Sequence, residues 1–231
     1  MRKLVLFDID GTLLWTDGAG RRAIRQALVD EMGTAGPIDE YRFGGKTDPQ
    51  IVRELMTAAG HPHATSPDYL DAVCRRYVSL LARELEAHAG AIRVYEGVTA
   101  LLDALETRGD ALLGLLTGNL AAGAELKLRA AGLDPARFRV GAFGSDSAER
   151  PELPPIAIRR AVPLLGHRAE GNDVVIIGDT PADMTCGRSV GARAIGVATS
   201  SYSTAELIGA GGFAAFASFR DVEPVVAAIY A

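Results

Sequence analysis

Apolar positions in this chain follow two rhythms. Residues 4–7, 111–116, 140–143 and 174–177 are short unbroken apolar runs, and residues 193–197 form a similar run behind Arg193. Such runs read as strands covered on both faces, because a strand with one wet face would alternate. Between them the apolar residues recur at spacings of three and four. Val98, Leu101, Leu102 and Leu105 form one stripe closed by Gly109, and residues 156–165 run into Gly166. Strand and helix therefore alternate, which predicts a doubly wound, Rossmann-like α/β core with a parallel sheet.

One stretch breaks the alternation. Between the first two strands pass roughly ninety residues where a βαβ unit needs about 30. Within it Ala23, Ile24, Ala27, Leu28 and Met32 share one helical face, and Ile51, Val52, Leu55, Met56 and Ala59 share another. The second helix is expected to start with Asp48 as N-cap and Pro49 at its first position. A third opens at Ser66 and Pro67, with Leu70, Val73, Cys74, Tyr77, Leu81 and Leu85 as its stripe. The expected organisation is a core of residues 1–15 and 91–231 with a small all-helical cap of residues 16–90. Residues 14–18 and 89–94 are the expected hinges.

Composition narrows the function. With 231 residues, 48% of them hydrophobic, the chain can bury a sizeable core. A net charge of -5 disfavours a sequence-independent hold on nucleic acid, but not small anions in a local pocket. The apolar run after Met1-Arg2-Lys3 stops at Asp8, too soon for a signal peptide or membrane span, so a cytoplasmic protein without membrane attachment is expected. Cys74 and Cys186 lie far apart and outside any C-x-x-C spacing, so they read as structural. His61 and His63 read as a loop.

Chemistry concentrates where apolar runs end. Phe7-Asp8-Ile9-Asp10-Gly11-Thr12 puts two carboxylates at the mouth of a buried strand, where open α/β sheets bind ligands. In extended backbone Asp8 and Asp10 face the same side, and Gly11 permits a sharp turn. An acidic turn that merely ends the strand is the alternative. Thr117-Gly118-Asn119 follows a second strand and opens a helix near Leu120, a placement that suits an anion cradle or a simple cap. In Gly178-Asp179-Thr180-Pro181-Ala182-Asp183, Thr180 and Asp183 have capping-box spacing, which leaves Asp179 unexplained by local structure. Asp179 beside Asp8 would make a hard-oxygen site suited to Mg2+.

Together, Asp-x-Asp-Gly-Thr, Thr-Gly-Asn and Gly-Asp-Thr-Pro-x-x-Asp, with an inserted helical segment, resemble the haloacid-dehalogenase superfamily, and its phosphoglycolate-phosphatase-like members in particular. The resemblance implies that Asp8 is a nucleophile forming an aspartyl-phosphate and that Asp10 is the general acid and base. It implies Mg2+ held through Asp8, Asp10 and Asp179, with Asp183 close by. Thr117, Gly118 and Asn119 would bind the phosphoryl oxygens near Gly11 and Thr12. The family's basic residue upstream of the Gly-Asp motif is not a lysine here, since the chain has only Lys3, Lys46 and Lys127, and Lys127 lies in the helix after Thr117. Arg150 is the substitute, with Arg159 and Arg160 as competitors; a guanidinium fork holds phosphate well. Asp10 argues against carbon–halogen cleavage.

In the cap, Gly45-Lys46-Thr47-Asp48 resembles a substrate-specificity loop in which Lys46 would meet a substrate carboxylate. A phosphonate-cleaving role for Lys46 as a Schiff base stays open, as does a plain turn. Trp15, Tyr41 and Phe43 stand near the same mouth. The implied partner is a small phosphorylated metabolite, and the protein a monomer or homodimer. A phosphosugar mutase resembling β-phosphoglucomutase and a non-catalytic binding protein are the rival readings.

Overall fold

A computed structural model describes residues 2–231. In chain order the elements are β1 (Lys3–Phe7), β2 (Leu14–Trp15), α1 (Ala19–Met32), α2 (Asp48–Ala58), α3 (Pro67–Ala87), β3 (Arg93–Val94), α4 (Val98–Arg108), β4 (Ala111–Leu116), α5 (Ala121–Ala130), β5 (Val140–Ala142), α6 (Leu153–Leu165), β6 (Val174–Gly178), α7 (Pro181–Cys186), β7 (Arg193–Val197), α8 (Thr204–Gly209), β8 (Ala214–Phe216) and α9 (Val222–Tyr230). Six strands form one sheet in the order β5-β4-β1-β6-β7-β8, and every pair is parallel.

The unbroken apolar runs are explained by what covers each face. Val5, Phe7, Leu113, Leu115, Val175 and Ile177 point to one side and pack with residues of α4, α5 and α9. Leu4, Leu6, Leu112, Leu116, Val174 and Ile176 point to the other and pack with Leu153, Ala157, Ile158 and Ala161 of α6. From β1 the chain builds outward to β4 and β5, then returns to β6 and builds the opposite way. That reversal beside β1 leaves a crevice beyond the carboxyl ends of β1, β4 and β6, where ligands of such sheets bind.

Helices α1, α2 and α3 pack on one another through Ile24, Leu28, Leu55, Val73, Tyr77 and Leu81. Leu120, from the loop before α5, joins that cluster, so the helical insert also packs on the sheet domain. The two segments expected as hinges meet in an antiparallel pair, Leu14 opposite Val94 and Trp15 opposite Arg93. Asp17 and Gly18 next to it have positive φ (51° and 75°).

Several local expectations are corrected. The N-cap of α2 is Thr47, whose hydroxyl accepts from the Gln50 amide at 3.2 Å, with Asp48 and Pro49 following inside the helix. Asp48 is thereby free to act elsewhere. The fifth strand stops at Ala142, because the Phe143 amide turns to Asp146 at 3.0 Å. A sixth strand, β8, was not legible in the sequence: it spans three half-buried residues at the sheet edge.

Candidate active site

A cavity of about 630 Å³ opens where the cap meets the strand ends. Its floor is built by β1 and β6. Asp8 follows the last residue of β1, and its amide extends the ladder to Ile177 O at 2.9 Å. Gly11 turns the chain with φ 81°, and a Cβ there would stand 2.3 Å from an Asp179 oxygen. Only glycine lets the first loop approach that carboxylate.

Asp8, Asp179 and Asp183 are buried, with ligand atoms within 4.8 Å of one another. Arg150 is buried too and sets its guanidinium 3.2 Å from Asp8 Oδ2 while also pairing with Asp183. It issues from a short 3-10 turn ahead of α6, whereas Arg160, expected as a competitor, is tied to Asp146 on the surface at 2.6 Å. Burial would lower the Arg150 pKa, but Asp183 and Asp8 raise it on balance, so the group is a permanent cation. Burial pushes Asp8 up to about 6 against the pull of Arg150, and Asp179 is likewise raised by burial and by Asp183 and Asp8.

Three buried carboxylates facing one guanidinium carry surplus negative charge that a hard divalent cation would neutralise, and their all-oxygen chemistry suits Mg2+. Asp183 is the least available of the three. One of its oxygens pairs with Arg150, and the other accepts from the Thr180 amide (3.0 Å) and hydroxyl (2.7 Å), which supplies the capping half of the motif. Its structural role is to hold Arg150 and the start of α7. Thr12, expected near the phosphoryl oxygens, is fully buried, with its hydroxyl donating to Asp179 Oδ1 at 3.1 Å, and is not among the cavity-lining residues.

The Thr117 loop forms another wall. Thr117 Oγ1 accepts from the Asn119 amide (3.3 Å) and side chain (2.8 Å). Asn119 Nδ2 also donates to Asp10 Oδ2 at 2.8 Å. The start of α5 is not an open anion cradle, because the Leu120 amide donates to Asp48 Oδ2 at 2.9 Å and the Ala121 amide to Ser145 at 3.2 Å. The anion drawn to this helix terminus is a carboxylate of the cap itself.

The specificity loop lies directly on this wall. Asp48 N donates to Gly118 O at 2.8 Å, and a Cβ at Gly118 would fall 2.1 Å from Lys46 O. Gly45, with φ 78°, is pressed against Ala182 of α7. These two glycines serve cap docking. Lys46, expected to meet a substrate carboxylate, lines the cavity with its Nζ held by Glu54 at 2.5 Å and Tyr41 at 2.7 Å, which satisfies its charge. Among the described residues, Arg42 is an exposed cavity-lining cation without an ion pair. Trp15 and Phe43 line the cavity, whereas Tyr41 stands behind Lys46.

Lys127 was missed as a site residue. It is buried on α5, with Nζ 2.6 Å from Asp10 Oδ2 and 2.6 Å from Asn119 Oδ1. The available signal was a lysine on the inward face of α5, beside buried Ala124 and Leu128. His61 and His63 make no metal cluster among the described residues, and both cysteines are unpaired.

The sequence profile of the haloacid dehalogenase-like hydrolases matches residues 5–188. The chain belongs to that family. As a haloacid dehalogenase-like hydrolase it is 28% identical to a phosphoglycolate phosphatase of Rhodospirillum rubrum, over 96% of this chain and 90% of that one. It is 29% identical to the probable phosphatase IndB of Dickeya dadantii, over 90% and 86% of the two chains. Among solved structures, CbbY of Rhodobacter sphaeroides in complex with phosphate has the same fold, with TM-score 0.75, 21% identity and 96% of each chain covered. No helix among the described residues is long and apolar enough to cross a membrane.

Proposed function

We propose that this hydrolase is a Mg2+-dependent phosphatase of small phosphomonoesters that works through an aspartyl-phosphate on Asp8. The observation that carries the reading is the Asp8 carboxylate on the cavity floor, 3.2 Å from Arg150 and clustered with Asp179. Asp8 Oδ would attack phosphorus, and the ester oxygen would leave with a proton from Asp10. Water, deprotonated by Asp10, would then displace phosphate from Asp8. Arg150, Thr117 and the Asn119 backbone would meet the equatorial oxygens, where the transition state spreads its charge. Asp8, Asp179 and the Asp10 backbone carbonyl would hold the ion, whose contribution is to neutralise charge so that one anion can approach another.

The relative in Rhodospirillum rubrum makes phosphoglycolate the first substrate to try. Arg42 on the cavity rim is a better candidate than Lys46 for meeting a substrate carboxylate, since Glu54 already holds Lys46. The test is phosphate release from phosphoglycolate and a panel of sugar phosphates, with Mg2+ and with chelator, by wild type and Asp8→Asn. Release that needs Mg2+ and disappears in Asp8→Asn is expected. Chelator-resistant release, or near-normal turnover by Asp8→Asn, would refute the scheme.

A further inference from the structure

Asp10 Oδ2 already accepts from two donors, Lys127 Nζ at 2.6 Å and Asn119 Nδ2 at 2.8 Å. No donor among the described residues reaches Oδ1, and the side chain is 44% exposed in the cavity. The two oxygens of this carboxyl are therefore unequal: one is fixed by the protein and one is left to the substrate. Lys127 has a side chain only 5% exposed, and its ammonium spends its short bonds on Asp10 and Asn119. An ammonium buried to this extent needs a counter-charge, and the carboxylate it is paired with at 2.6 Å is the group proposed for proton transfer. The cap leaves room for it. A Cβ at Gly20 would stand 3.5 Å from Lys127 Nζ and 3.6 Å from the Tyr77 hydroxyl.

We infer that Lys127 is the positioning residue of the acid–base step. Together with Asn119 it pins Asp10 by Oδ2, so that Oδ1 carries the proton to and from the reacting oxygens. This rests on the phosphatase reading and assigns that reading a residue outside the three motifs. In the first step Asp8 Oδ bonds to phosphorus, the phosphorus–ester oxygen bond breaks, and the proton on Asp10 Oδ1 passes to the departing oxygen. The negative charge left on Asp10 is shared with an oxygen already met by an ammonium. In the second step water bonds to phosphorus, the bond to Asp8 breaks, and Oδ1 takes the proton of that water.

Leaving groups separate positioning from mere stability. An alkyl alcohol needs the proton in order to depart, whereas dinitrophenolate does not. Because kcat/KM reports only up to the first irreversible step, it isolates transfer to Asp8. For Lys127→Met, kcat/KM on an alkyl phosphomonoester cleaved by the wild type is expected to fall on the order of 100-fold, within the range of general acid catalysis. On 2,4-dinitrophenyl phosphate it should stay within about threefold, because little proton transfer is at stake. Asp10→Asn should show the same selectivity, and Lys127→Met/Asp10→Asn should be no worse than Asp10→Asn alone. Lys127→Arg, which keeps the charge, provides a folded variant should the methionine not fold, with a smaller loss of the same selectivity. Equal losses on both esters, or no loss, would overturn the role of Lys127 while Asp10→Asn still upheld the phosphatase reading. If the wild type releases phosphate from neither ester, both fall together.

Discussion

At the scale of single residues, side chains that look free in the sequence are already engaged. Glu54 shows this for the cap loop. Burial would raise its pKa, but hydrogen bonds from Lys46, Tyr41 and Gln50 outweigh burial and hold it at about 2, below the ordinary 4.5. A carboxylate with a depressed pKa stabilises the fold above its unfolded value and loses that contribution as pH falls toward the folded one. Wild type should therefore exceed Glu54→Gln in urea midpoint at pH 7, and the gap should close between pH 4.5 and 2. A gap that ignores pH would show that the Lys46–Glu54 pair contributes nothing to the fold. Lys46 could be noticed in the sequence as the only cap lysine, but its partner eight residues on, one face along α2, could not be chosen from spacing alone.

At the scale of elements, the loop that enters α2 is wedged between two strand-end motifs. It reaches Gly118 on one side and Ala182 on the other, and at both contacts the backbone comes closer than any side chain would allow. At Gly118 the obstacle to a Cβ is the Lys46 carbonyl, a backbone group that cannot swing aside. Overpacking of this kind costs about 1–3 kcal/mol. Taken from cap docking, that would appear as roughly a tenfold or greater loss in kcat/KM for Gly118→Ala. Because Gly118 is buried, part of that cost should also lower the thermal midpoint. Unaltered kcat/KM would show that the cap loop does not need this contact. The Thr-Gly-Asn motif was legible as chemistry, but the sequence could not say that its glycine serves the cap.

At the scale of the whole molecule, Asp48 joins the two halves. It is the buried first residue of cap helix α2, accepts from the Leu120 amide of the core, and feels the charge of Lys127. Burial raises its pKa from 3.8 to about 6, with Lys127 and the Leu120 amide only partly opposing. The folded state thus holds this proton more tightly than the unfolded state. Stability drawn from a neutral Asp48 is present below about pH 4 and lost as pH rises through 6. Asp48→Asn keeps an acceptor for Leu120 and removes the charge. Relative to wild type it should gain in urea midpoint as pH rises from 4 to 6 and hold a constant difference above. A difference that stays flat across that range would mean the carboxylate ionises without cost, and so is not buried at the joint.

The sequence by itself determined the elements whose cause is local. Unbroken apolar runs read correctly as strands buried on both faces, three- and four-residue stripes as helices, and the overlong first crossover as an inserted helical segment. It also singled out Asp8 and Asp179 as carboxylates directly after apolar runs, whereas Arg150, which follows a polar stretch, was implied only by the family resemblance. The tertiary structure alone decided the contacts between distant residues. Lys127 meets Asp10 across 117 positions, Asp48 meets Leu120 across 72, and Thr12 turns inward to Asp179 across 167. Periodicity records which face of an element is buried, but not what waits on the other side. A lysine on an inward helical face is a contradiction within its own segment, and only the folded chain supplies the carboxylate that resolves it.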